Sequence, residues 1–145
     1  MLVRLLYASR SKEFISDAVS DSILASARKN NADQGITGIL CIYESGDSYL
    51  QVLEGGREAV NRIYNQIVAD PRHTDVTLLA YDDIQERRFS SWRMGKVDLG
   101  KVNRSTILRF SSSSKLDPLT LQGATALRLL EELVDTASIS SQNDS

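Results

Sequence analysis

Three polar side chains stand where the surrounding pattern calls for apolar ones. Tyr7 shares a strand face with Val3 and Leu5, Gln51 lies between Tyr49 and Leu53 in an apolar run, and Asn31 falls on the apolar stripe of a helix. A buried amide without a partner costs roughly 1–3 kcal/mol, so Gln51 and Asn31 need groups facing them. Each has an ordinary reading: a core tyrosine, a glutamine bonded to a nearby carbonyl, an asparagine closing its helix. Converging on one gap between helices, the three together point to a flat, hydrogen-bonding ligand.

The elements that must position them follow in order. Val3, Leu5 and Tyr7 alternate with Leu2, Arg4 and Leu6, predicting a strand over about 2–8. Ile15, Val19, Ile23, Ala27 and Asn31 recur along a helix that Gly35 ends. ITGILCIY (36–43) and YLQVLEG (49–55) are apolar runs joined by the turn chemistry of Glu44–Ser48, which reads as a hairpin. Val60, Ile63, Tyr64, Ile67 and Val68 make one helical stripe, ending near Asp70-Pro71. VTLLAYDDI (76–84) is a fourth strand. This order predicts an α+β, ferredoxin-like βαββαβ sheet with both helices on one face and the first and third strands adjacent at its centre. Tyr7 and Gln51 would then be neighbours beneath the gap between the helices. The stretch 87–94 is expected to add a short edge strand. Leu119–Thr136, with Leu127, Leu130, Leu133 and Val134 at helical spacing, is expected as a C-terminal helical extension docked on the other sheet face. Ser111–Ser114 reads as a polar linker.

Composition narrows the chemistry. The chain has 145 residues, one domain's worth, with 17 Lys plus Arg against 19 Asp plus Glu and a net charge of -2. No bulk basic charge is available to grip a phosphate backbone, so direct nucleic-acid binding is not expected. No apolar run approaches a membrane span, and MLVRLLYASR is too short and interrupted for a signal peptide. Cys41 and His73 are the single cysteine and histidine, which fits a reducing cytoplasm and argues against a His/Cys metal site. A hydrolytic triad would have to be built on His73 alone. No nucleophile elbow, Walker loop, dinucleotide fingerprint or zinc-protease motif occurs. GGRE (55–58) reads as an anion seat at a helix start or, more simply, a tight turn, and Asp82-Asp83 as a solvated turn.

Five segments resemble the BLUF family of blue-light sensors that use FAD: LLYAS (5–9), N-N-x-x-x-G-I-T-G-I-L (30–40), LQVLEG (50–55), V-N-x-x-Y-x-x-I-V-x-D-x-R-H (60–73) and R-x-F-x-x-W-x-M (87–94). The resemblance runs from Leu2 to about Met94 and is similar to short members with one sensor unit and a helical extension. It implies that Tyr7 is the redox-active tyrosine and Gln51 the glutamine between it and flavin N5 and C4 carbonyl. Asn31 would hold the C4 carbonyl and N3 edge, with Arg72, His73 and Asp70 at the pyrimidine side. Ile23, Leu40 and Ile67 would wall the ring, while Trp92 and Met94 on the fifth strand would pass the signal outward. A phenol is neutral at pH 7, so its electron loss should couple to proton movement. An amide carries an acceptor at one end and a donor at the other, and rotation or tautomerisation exchanges them without a covalent bond. A new donor aimed at the flavin carbonyl would give a small red shift.

Three positions depart from the family pattern. The Glu44–Ser48 hairpin is longer than in many members, Gln66 stands where several have a basic residue, and Ala27 where others have a polar one. The implied organisation is a flavin-binding domain over 1–97, an extension over 98–137 packed on the sheet, and a disordered tail over 138–145. The implied function is a cytoplasmic photoreceptor without catalytic turnover. Light-driven proton-coupled electron transfer from Tyr7 would rearrange the Gln51 hydrogen bonds. The signalling state would act through Trp92, Met94 and the extension on a partner, such as a cyclic-dinucleotide phosphodiesterase or a transcription regulator, with homo-oligomers expected and no membrane partner. An acylphosphatase-like enzyme or a ligand-free adaptor would share the fold but be colourless, and nothing marks the nicotinamide site of a flavin reductase.

Overall fold

The computed structural model describes residues 1–12, 17–43 and 47–136. Side chains at 17, 19, 20 and 30–33 lie outside the description, as do Ile15, most of the hairpin loop and the tail over 138–145. The chain runs β1 (Leu2–Ser11), α1 (Asp17–Gln34), β2 (Thr37–Tyr43), β3 (Ser48–Gly56), α2 (Arg57–Ala69), β4 (His73–Ile84), β5 (Gly95–Asp98), α3 (Arg104–Leu108) and α4 (Gly123–Asp135), with short 3-10 turns at Leu99–Lys101 and Pro118–Thr120.

The five strands are ordered β4-β1-β3-β2-β5. β1 pairs antiparallel with β3 and β4, β2 pairs antiparallel with β3, and β5 adds in parallel to β2. The ferredoxin-like arrangement follows from the alternation of the strands, because residues two apart must share a face. On one face Val3, Leu5, Tyr7, Leu40, Tyr49 and Leu53 pack with Ile23 and Leu24 of α1 and Val60 and Ile63 of α2. On the other, Leu6, Ala8, Cys41, Leu50 and Val52 pack under Ala126, Leu129, Leu130 and Leu133 of α4. Phe89 and Val97 complete that second core. Gly35 closes α1 with φ +67, the left-handed conformation that glycine adopts without strain. Gly123 opens α4 so close to β4 that a Cβ would lie 2.4 Å from the Leu79 carbonyl oxygen. Contact at that distance brings the helix onto the sheet edge.

Several boundaries differ from the pattern. β1 continues to Ser11, and β4 starts at His73 rather than Val76, because polar Thr74 and Asp75 hide a strand whose pairing with β1 is bulged. Val68 is 52% exposed, off the buried stripe: eight residues beyond Val60 it has turned by about 80°. In α4 the buried seam includes Ala126 and Leu129, while Leu127 and Val134 are only partly covered. The added edge strand begins just past Met94, not within 87–94, since the ladder to β2 starts at Gly95 opposite Ile39. Asp82 and Asp83 lie on β4 rather than in a turn, and Asp83 pairs with Arg57. Gly55 is explained by packing, as a Cβ there would meet Ile36 at 2.6 Å.

Candidate functional site

Register places the site. Tyr7 lies opposite Gln51 on β3, and Gln51 lies opposite Leu40 on β2, so the three form one row across the middle of the sheet. Tyr7 is 1% exposed and Gln51 4%. The Tyr7 hydroxyl donates to Gln51 Oε1, and Gln51 Nε2 donates to Met94 Sδ at 3.2 Å. The amide thus uses both ends, so the polar group in the apolar run is satisfied. Above this row a cavity of about 90 Å³ opens between α1 and α2. Its apolar walls include Ile23, Leu53, Ile63 and Ile67, and its polar side carries Tyr7, Gln51, Asp70, Arg72 and His73.

Burial pushes the Tyr7 phenol far above its ordinary range, with Tyr49 and Tyr64 adding to the effect. The Tyr64 ring stands 5.7 Å from that of Tyr7. Asp70 follows the end of α2 and accepts from the Arg72 backbone N–H at 2.9 Å and from its guanidinium at 2.6–3.1 Å. Those hydrogen bonds hold the Asp70 carboxyl below its ordinary range and raise Arg72. His73, 6% exposed, is the first residue of β4. Its Nδ1 shares a hydrogen bond with Ser9 Oγ at 2.9 Å, and its ring meets Tyr49 edge-on at 5.0 Å. Burial, reinforced by Arg72 and opposed by Asp70, lowers its pKa.

The fold brings together Tyr7, Gln51, Asp70, Arg72, His73, Ile23 and Ile67 around one cavity. Leu40 is fully buried in the core beneath it and is not on its wall. Asn31 lies near the end of α1, but its side chain is outside the described residues. Met94 belongs to the cavity-side core, whereas Trp92 packs against the α4-side core, so the two separate to opposite faces. Sequence reasoning missed Leu53 and Ile63, which are ordinary members of apolar runs, and Ser9, whose role needs its cross-strand partner. Ala27 and Gln66 also line the cavity. Among the described residues no three His, Cys, Asp or Glu side chains gather to hold a metal, and no helix is long and apolar enough to cross a membrane.

These residues fit a flavin head. Apolar side chains from both helices offer walls for a flat ring, an amide and a phenol form the floor, and an ion pair with a histidine supplies polar contacts at one end. A family model described as sensors of blue-light using FAD matches residues 2–95. A photoactivated adenylate cyclase subunit beta of Euglena gracilis is 38% identical over 94 residues, covering 64% of this chain and 11% of its own. The blue light- and temperature-regulated antirepressor BluF of Escherichia coli is 32% identical over 109 residues, covering 75% and 27%. The chain therefore spans between about a tenth and a quarter of the length of these relatives. Among solved structures, the photo-activated state of BlsA superposes with a TM-score of 0.82 at 31% identity, covering 100% of both chains. The dark state of BlrB gives 0.74 at 31%, covering 94% and 96%. With the family match reaching over more than half of its residues, the chain belongs to the sensors of blue light using FAD, and FAD is the cofactor that family uses.

Proposed function

We propose that this chain is a blue-light switch in which Tyr7 gives up an electron and a proton together and Gln51 converts that event into a change of hydrogen bonds. The observation that carries the reading is the buried chain from the Tyr7 hydroxyl to Gln51 Oε1 and from Gln51 Nε2 to Met94 Sδ. When bound, FAD supplies the blue-light absorption and the oxidising power. Tyr7 is the buried phenol on the cavity floor, and its proton has one ready acceptor, Gln51 Oε1. Rotation or tautomerisation of the amide exchanges its acceptor and donor ends, so the electron and the proton can both return to Tyr7 while the hydrogen bonds stay rearranged. Leu53, Ile63 and Ile67 exclude water from this exchange, and Arg72, oriented by Asp70, is available to a ring carbonyl. Asn31 is assigned the C4 carbonyl and N3 edge of the ring by the family resemblance alone. No covalent product accumulates, so light sets a state rather than driving turnover.

In this reading 1–97 bind the flavin and 98–137 form the output extension. The signal passes through Met94 and Trp92 to α4 and then to a protein partner in the cytoplasm, with self-association as the accompanying assembly change. BluF is by name an antirepressor, which supports a transcription regulator as partner. BlrP1 of Klebsiella pneumoniae has been solved as a cy-diGMP complex, with a TM-score of 0.68 at 33% identity covering 94% of this chain and 34% of its own, which supports a cyclic-dinucleotide enzyme instead.

Absorption spectra before and after blue illumination test the switch. The parent should give a flavin band that shifts slightly red and relaxes in the dark, and Gln51→Leu and Tyr7→Phe should both bind flavin without that shift. A Gln51→Leu protein that still shifts would overturn the amide mechanism. Light scattering of dark and illuminated samples checks the assembly change.

A further inference from the structure

We infer that Arg28 is a positioning residue of this switch: its grip on the Met94 carbonyl keeps Met94 beside Gln51 and Trp92 on the opposite face of the sheet. The inference rests on the Tyr7–Gln51 reading above and extends it to a residue outside the cavity. Arg28 Nε and Nη2 both donate to Met94 O, at 3.2 and 3.0 Å. Hydrogen bonds from a charged donor are roughly twice as strong as neutral ones. At the other end of the segment the Gly38 N–H donates to Trp92 O at 3.1 Å. Only Arg93 lies between these two anchors.

The need for an anchor follows from strand geometry. Residues two apart in an extended chain point to one face, yet Trp92 and Met94 enter opposite cores. The backbone at Arg93 and Met94 is accordingly bent, and regular pairing with β2 begins only at Gly95. A bent segment has no ladder of its own to hold it, so its direction is set by what grips its carbonyls. One grip is fixed backbone. The other comes from α1, where Ile23, Ser26 and Ala27 line the cavity while Arg28 reaches the β5 side. The helix that walls the ligand therefore also sets the sulfur acceptor of the Gln51 amide. Holding Met94 in place favours the orientation of Gln51 in which Nε2 meets Sδ, the one this reading assigns to the dark state.

Trp92 is the only tryptophan in the chain and reports on the segment directly. The test uses the FAD-loaded protein, the Arg28→Ala variant and the milder Arg28→Lys. It measures acrylamide quenching of Trp92 in the dark and the rate of return after illumination. For Arg28→Ala, Trp92 quenching should change and dark return should slow by about threefold or more, the size expected when one coupling contact is lost. Arg28→Lys, which keeps the charge but not the fork, should fall between alanine and parent. Trp92 quenching and dark return both unchanged in Arg28→Ala would make Arg28 a surface brace and overturn the inference, even if thermal stability fell. A changed Trp92 with an unchanged return would also overturn it. Because the tryptophan measurement is made in the dark, a Gln51→Leu protein that retained its red shift would remove the amide mechanism separately.

Discussion

Burial keeps the Tyr7 phenol protonated well beyond its ordinary range, so in the proposed switch its electron and proton would leave as a pair. The histidine nearby gives a pH dependence of its own. Folded His73 binds a proton less readily than the unfolded chain, whose histidine titrates near 6.5. Above that pH both states are neutral and the residue contributes nothing. As pH falls through 6.5 the unfolded state takes up the proton first, and stability declines until the folded pKa is reached. Thermal unfolding of the parent should therefore move to lower temperature as pH falls below 6.5, and His73→Gln should flatten that slope. As the chain has no other histidine, the assignment is direct. Asp70 has the complementary sign: its lowered pKa adds stability above 3.8 that is lost as pH drops through its folded value.

The loop from β4 to β5 depends on one carboxylate. Glu54, on the α4-side face of β3, accepts from Arg4 Nε at 2.8 Å and from the backbone N–H groups of Arg88 and Phe89 at 2.7–3.1 Å. Arg88 in turn reaches Glu131 on α4. Glu54→Leu would leave Arg4 buried without its counter-charge and the loop without its acceptor, a loss of about 3–5 kcal/mol by urea denaturation. Adding Arg4→Met should recover much of it. In α4, Leu129→Ala should cost about 2–5 kcal/mol, since the side chain is wholly enclosed against the sheet.

The central strands were readable in advance because alternation in β1 and continuous apolar runs in β2 and β3 leave few arrangements that bury them. The fifth strand was displaced because 87–94 is held by contacts remote in sequence, Glu54 and Gly38, which no local pattern records. Arg28 escaped for the same reason: an arginine at the rim of a helix looks like any solvated charge until its carbonyl partner is in view. Tyr7 and Gln51 stood out because a polar side chain on an apolar face must be answered by another.

At the scale of the molecule, the sheet is a partition between two cores. The helices α1 and α2 enclose one with its cavity, and α4 covers the other. β3 serves both, with Gln51 facing the cavity between Leu50 and Val52, which face α4. The path proposed for the signal is therefore short, across the thickness of one sheet rather than along its length.

The segment carrying Trp92 and Met94 has one side chain rooted in each core. If a partner on the α4 side prefers one setting of Trp92, it also prefers one setting of Met94. If the light-adapted setting binds that partner more tightly, as the proposed switch requires, linkage makes the traffic two-way: the factor gained in partner binding equals the factor by which the partner favours that setting. A titration of partner into the dark protein should thus draw Trp92 toward its illuminated environment with no photon absorbed, and the receptor would report its own occupancy.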